Sequence, residues 1–287
     1  MPPTVATRAS RHLLASLPWL AALLGAFWPT LVWMQARFGS ADSFYSHGWL
    51  VPLASAWLIW QRRDGLRLCH VRQSAAGLWL VLLFLALHVA STSLRLHVAS
   101  GLAMVGVVWG LVWTSWGPQV LWALRAPLLF LLFMVPVPGV VLISWSFHLK
   151  LLAASMATQV ATWVGLPATQ AGSTILFPGL SVLIDDTCSG LRSLLTLVAL
   201  ATFWSAMMPR GIGWLRRGLL VSASVPIALF ANVVRILLLI LIAWFLGPQM
   251  AEGWLHYGSG FAVFGVALVL LAGISRLLGI RPEGRGR

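Results

Sequence analysis

Long apolar runs separated by short polar clusters recur along almost the whole chain. A helix needs about 20 residues to cross a hydrocarbon core of about 30 Å. At that length the runs predict spans near 14–36, 46–61, 75–92, 97–116, 119–136, 190–208, 217–245 and 258–279. The pattern changes between 137 and 189. Over about 140–165, Ser144, His148, Ser155, Gln159 and Thr162 recur at helical steps along one face. This predicts an amphipathic helix lying in the outer membrane interface. The alternative is a true span, which would need a partner span in 172–187 cut by Pro178-Gly179. The next stretch, "STILFPGLSVLI", places two apolar, β-branched runs on either side of Pro178-Gly179. It predicts a short β-hairpin-like loop over about 172–185.

Composition supports the membrane reading. The 287 residues are 60% hydrophobic and 9% charged, with a mean hydropathy of +0.91, whereas soluble domains carry roughly 25% charge. The net charge of +13 does not form a nucleic-acid footprint, because the arginines cluster at the ends of apolar runs. Arg8/Arg11, Arg62/Arg63/Arg67/Arg72, Arg210/Arg216/Arg217 and Arg276/Arg281/Arg285/Arg287 mark the cytoplasmic side by the positive-inside rule. All four are satisfied by an all-α polytopic protein with about eight transmembrane helices and both termini cytoplasmic. The chain reads as a single integral membrane domain over 1–287, with tails at 1–13 and 280–287. The run from about Leu13 to Trp33 is too long for a secretory h-region and predicts a retained first helix. Cys69 and Cys188 are far apart, which argues against a redox pair or a zinc site. No histidine spacing suggests a metal, and no cofactor is expected.

Depth singles out three polar residues. At about 1.5 Å per helical residue, Cys188 lies about 33 Å from Arg210, Arg235 about 27 Å from Arg217 and His256 about 30 Å from Arg276. All three are therefore expected near the outer interface, on successive spans. Their chemistry is complementary. A thiolate is a nucleophile whose pKa falls near cations and helix N-termini, and Cys188 directly precedes the helix expected to open around Gly190. Imidazole can serve as base and then acid, and guanidinium can stabilise an oxyanion. Acyl transfer through a thioester follows. Each residue also has a structural reading: a buried inert cysteine, an interfacial histidine, and an arginine paired with Asp185, Asp186 or Glu252. After Arg235 the apolar run "ILLLILIAWFL" remains on the outer side, and a tilted helix, a kink at Pro226 or a partly re-entrant segment could hold it.

"DDTCSGLRSLL", "NVVRI" and "HYGSG", in this order on successive spans, resemble the exosortase/archaeosortase family. The resemblance extends to "YSHGWLVP", "APLLFLLFMVPVP" and "GSTILFPGL" and covers about 40–275. It implies a membrane-embedded cysteine protease or transpeptidase of the cytoplasmic membrane, active at its outer face. Its substrates would be membrane-anchored proteins carrying a C-terminal sorting signal of the PEP-CTERM type. By motif, Cys188 would be the nucleophile, Arg235 the essential arginine and His256 the essential histidine. Arg192, one turn after Cys188, could hold a thiolate or a substrate carboxylate. Asn232, one turn before Arg235, could orient it or simply pack. Asp186 could tether an arginine or recognise substrate. His47 competes with His256 for the role of base. Two other classes stay open: a transporter or flippase with Arg235, His88 and His97 along its path, and a non-catalytic scaffold for envelope export.

Overall fold

The computed structural model describes residues 21–40, 43–185, 188–208, 211–247 and 254–279, and the side chains of all of these except 180 and 254–257. Asp186 lies outside the described residues. Apolar helices dominate, and the chain divides into two compact units, one of residues 21–40 with Ile59–Pro136 and one of residues 43–58 with 137–279.

The first unit contains α1 (Trp28–Gly39), continuing helical residues 21–26, the end of α2 (Leu50–Gln61) and α3 (Arg63–Arg67). It also holds α4 (Ala75–Ser93), α5 (His97–Trp116) and α6 (Pro118–Phe130). α4 and α5 form a tight antiparallel pair. A side chain at Gly110 would come within 2.7 Å of Val81, and one at Gly106 within 2.4 Å of the Phe84 ring. Small residues let membrane helices approach this closely.

His88 is buried in this unit. Its Nδ1 meets the Ser100 hydroxyl at 2.8 Å and its Nε2 the Ala26 carbonyl at 3.1 Å. A carbonyl only accepts, so Nε2 carries the proton. The Thr30 hydroxyl extends the chain by bonding Ser100. Both ring nitrogens are thus engaged in tying helices together. His97 stacks on Trp33 at 5.4 Å.

The second unit contains most of α2, preceded by a 3-10 turn (Ser46–Trp49), then α7 (Gly139–Trp163) and the strands β1 (Thr169–Ala171), β2 (Thr174–Phe177) and β3 (Leu180–Leu183). α8 (Leu191–Met207), α9 (Trp214–Leu246) and α10 (Trp254–Leu277) complete it. The expected hairpin is present. β2 and β3 pair antiparallel around Pro178-Gly179. Gly179 has φ +81°, the position after proline that a type II turn assigns to glycine. β1 adds a strand that the sequence reading did not include, giving an antiparallel sheet in the order β1-β2-β3.

α7 forms where the polar stripe predicts a helix. Ser144, His148, Gln159 and Thr162 are exposed, but so are Ile143, Trp145, Phe147, Leu152 and Met156. Exposed apolar side chains therefore flank the polar stripe. The buried face is narrow and built largely from Ala153, Ala154, Ala157 and Ala161, which pack with Ile236, Leu239 and Ile240 of α9. With 25 residues and apolar composition, α7 has the dimensions of a span, the alternative the spacing had left open. The segment following it folds as the sheet instead of a partner span.

α9 settles the fate of the apolar run after Arg235. It is one helix of 33 residues, passing Pro226 and Arg235 without a break. At about 1.5 Å per residue it is about 50 Å long, well beyond a bilayer core. Its C-terminal half stays helical to Leu246. Ile236, Leu239, Ile240 and Ala243 are buried, and the first three pack with the α7 alanines and with Ile175 and Phe177 of the sheet. Its N-terminal half packs on α8 and α10 through Leu197, Ala201, Leu220, Ala228, Val263 and Leu271.

Five described helices are long and apolar enough to cross a membrane: α4, α5, α7, α9 and the Gly258–Leu277 part of α10. Pro118–Met134 and Leu191–Met207 are apolar but shorter. Large apolar side chains such as Leu78, Trp79, Leu83, Phe230, Phe261 and Val269 stand exposed. Exposed apolar surface on this scale marks a membrane or partner interface, and the fold is that of a polytopic helical membrane protein.

Candidate active site

Cys188 lies where the sheet hands the chain to α8. Its N–H donates to the Asp185 carbonyl at 2.9 Å, and the residue is buried at 5% exposure. Gly190 then caps α8 with φ +74°, a left-handed conformation that costs an L side chain roughly 1–2 kcal/mol. The Leu194 N–H donates to the Gly190 carbonyl at 2.9 Å, and so does the Ser193 hydroxyl. The thiol-bearing residue therefore directly precedes the amide-rich end of a 17-residue helix, where negative charge is favoured.

Asn232 of α9 is buried at 4% exposure. Its Nδ2 donates to the Cys188 carbonyl at 2.9 Å. A Cβ at Gly190 would fall 2.6 Å from Asn232 Cγ, so only glycine lets the two segments meet. The sequence offered Asn232 as an orienter of Arg235; its amide instead holds the backbone of Cys188. Since Arg235 is three residues further along the same helix, this bond ties the thiol segment to the turn of α9 that carries the guanidinium.

Arg235 is half-buried and borders a small cleft between α8, α9 and α10, lined among others by Ser193, Leu197, Asn232, Gly260 and Val263. A Cβ at Gly260 would lie 3.7 Å from the Arg235 Cζ, so the backbone of α10 passes against the guanidinium there. Position 256 is one helical turn before Gly260 and falls on the same face of α10. The side chain of His256 lies outside the described residues.

His47 sits elsewhere in the unit. Its Nδ1 is 3.4 Å from the Thr196 hydroxyl, and its ring stacks on Tyr45 at 5.7 Å. The Tyr45 hydroxyl accepts the Val137 N–H at 3.1 Å. Thr196 is about 12 Å of helix rise beyond Cys188. Arg192, between them on α8, is exposed.

Sequence reasoning passed over Gly190 and Gly260 as working parts of the site. Their signal was present in "CSG" and "HYGSG", but only the close approach of neighbouring helices gives those glycines a purpose. Among the described residues no group of histidine, cysteine and carboxylate side chains could hold a metal ion.

The family model for transmembrane exosortases matches residues 33–273, a stretch that includes every residue of this site. Exosortases are membrane sorting proteases or transpeptidases. No curated protein and no solved structure matches the chain. With the match running through nearly all of both units, the chain belongs to the transmembrane exosortase family.

Proposed function

We propose that this exosortase is a cysteine endopeptidase or transpeptidase that cleaves the C-terminal sorting signal of membrane-anchored proteins at the outer face of the cytoplasmic membrane. His256 takes the thiol proton, and the Cys188 sulfur attacks a backbone carbonyl carbon of the substrate. Arg235 stabilises the oxyanion that forms. The C–N bond breaks, the amine leaves with the proton held by His256, and the acyl part remains as a thioester on Cys188. Water or an amine acceptor then attacks the thioester, gives up a proton to His256 and frees the thiol.

The observation that carries this reading is the bond from Asn232 to the Cys188 carbonyl. It brings the thiol segment to the helix turn that bears Arg235, while Gly260, one turn from position 256, lies against that guanidinium. The arginines toward the opposite ends of these helices, Arg216, Arg217 and Arg276, support an outward-facing site by the positive-inside rule. His47 is the second choice of base: its Nδ1 lies 3.4 Å from Thr196, two turns along α8 from Cys188, although its Nε2 has no hydrogen-bond partner among the described residues. The experiment is coexpression with a protein bearing the sorting signal. Wild type is expected to release the C-terminal fragment and Cys188→Ala is not; equal release by both overturns the proposal.

A further inference from the structure

Among the described residues the sheet ends on an unpaired edge, that of β3, a few residues before Cys188. In an antiparallel ladder, successive residues turn their N–H and C=O alternately toward the neighbouring strand and away from it. The Ile184 N–H donates to the Ser173 carbonyl at 2.9 Å, and Val182 and Leu180 share its parity opposite Ile175 and Phe177. These three residues face β2. Ser181 and Leu183 consequently direct their N–H and C=O groups to the other side, where no described residue pairs with them, β3 being the last strand in the sheet. Their side chains are exposed, whereas Ile184 is buried. Cys188 follows Leu183 by five residues, at most about 17 Å of extended chain.

We infer that the outer edge of β3 is the substrate-binding strand: an extended segment of the protein substrate adds to it through the backbone of Ser181 and Leu183 and is thereby led to Cys188. This deepens the proposed function and rests on it. A thiol can attack only a peptide bond presented in extended, accessible form. Close to lipid such a segment loses the water that would otherwise satisfy its backbone, and each unsatisfied group is costly there. An open strand edge supplies those partners, with affinity from the main chain and little demand on side-chain identity. The opposite edge is a poorer match. β1 is three residues long, and the side-chain Nε2 of its central Gln170 donates to the Leu151 and Gly172 carbonyls.

The test uses proline. At Ser181 or Leu183 it removes only the outward N–H, which an edge strand tolerates, and leaves the pairing with β2 intact. Ser181→Pro and Leu183→Pro are expected to lower processing of a coexpressed signal-bearing protein at least tenfold relative to wild type. A second measurement covers the case in which the proline variants fail to fold. A synthetic peptide spanning the cleavage junction of a processed substrate is N-methylated one residue at a time and offered to the wild-type protein in detergent. Loss of cleavage at every second position supports the inference. Uniform tolerance of methylation, or proline variants that process normally, overturns it. Cys188→Ala in the same assay separates the two readings. If it still processes, the active-site assignment fails and the edge inference with it. If it does not while the proline variants do, only the edge inference fails.

Discussion

Asn232 and Cys188 are 44 residues apart in the chain, yet the amide of one holds the backbone carbonyl of the other at 2.9 Å. Both are buried, so the bond forms where an unmet carbonyl would be expensive. It fixes where α8 begins relative to α9, and with it the separation of the thiol from Arg235.

Asn232→Ala is expected to reduce processing about tenfold and to destabilise the protein by about 1–3 kcal/mol, the cost of leaving a buried acceptor unsatisfied. Asn232→Asp should be worse, because an ionised carboxylate accepts only and would face the Cys188 carbonyl without a donor. Processing assays and thermal unfolding of the purified variants in detergent check the order. An aspartate variant as active as the alanine variant would show that the bond does not position the thiol.

Gly190→Ala combines two faults, a left-handed φ of +74° and a Cβ 2.6 Å from Asn232 Cγ. Overpacking of this kind typically costs about 1–3 kcal/mol. Removing the obstruction in Gly190→Ala/Asn232→Ala should recover part of the stability lost in Gly190→Ala alone, although the backbone strain remains. A double-mutant cycle on melting temperatures measures the coupling; strict additivity would mean that the two residues do not interlock.

Gly260 separates space from conformation. A Cβ there meets the Arg235 guanidinium at an ordinary contact distance of 3.7 Å, so Gly260→Ala should process near the wild-type rate. Gly260→Leu should displace the guanidinium and lose about a hundredfold, the scale on which removal of one oxyanion donor acts. Initial processing rates on one substrate distinguish the two variants.

Arg217 should matter for stability. Its guanidinium donates to the carbonyls of Ser205, Met208 and Ile212, the latter two at 3.1 and 3.2 Å, closing the end of α8 and the turn into α9. Charged hydrogen bonds contribute about 1.5–3 kcal/mol each. Arg217→Met should therefore lower the melting temperature clearly, while the protein that remains folded keeps its Cys188-dependent processing. A melting temperature equal to that of wild type would refute the clasp.

The helices were largely legible in the sequence because hydrophobic periodicity is a local property. α5 runs from His97 to Trp116 and α4 from Ala75 to Ser93, within a residue of where the apolar pattern places them. Pro178-Gly179 announced the β2–β3 turn for the same reason: proline sets one backbone angle and glycine permits the next. β1 was missed because "TQA" carries no strand signal of its own; it is a strand through pairing with β2. α7 was expected at the interface from its polar stripe, whereas its length and apolar composition are also those of a span, and periodicity alone does not separate the two.

By itself, then, the sequence determined the apolar segments, their order, the turn chemistry and the set of residue types that match the family, all of which depend on neighbours within a few positions. Tertiary structure alone decided that Asn232 holds Cys188, that Gly190 is required beneath it, that α9 continues past Arg235 to support the sheet, and that β3 keeps an edge paired by none of the described residues. Each depends on how closely and at what register distant segments meet, and packing sets that register through side-chain volume and hydrogen-bond satisfaction across the fold.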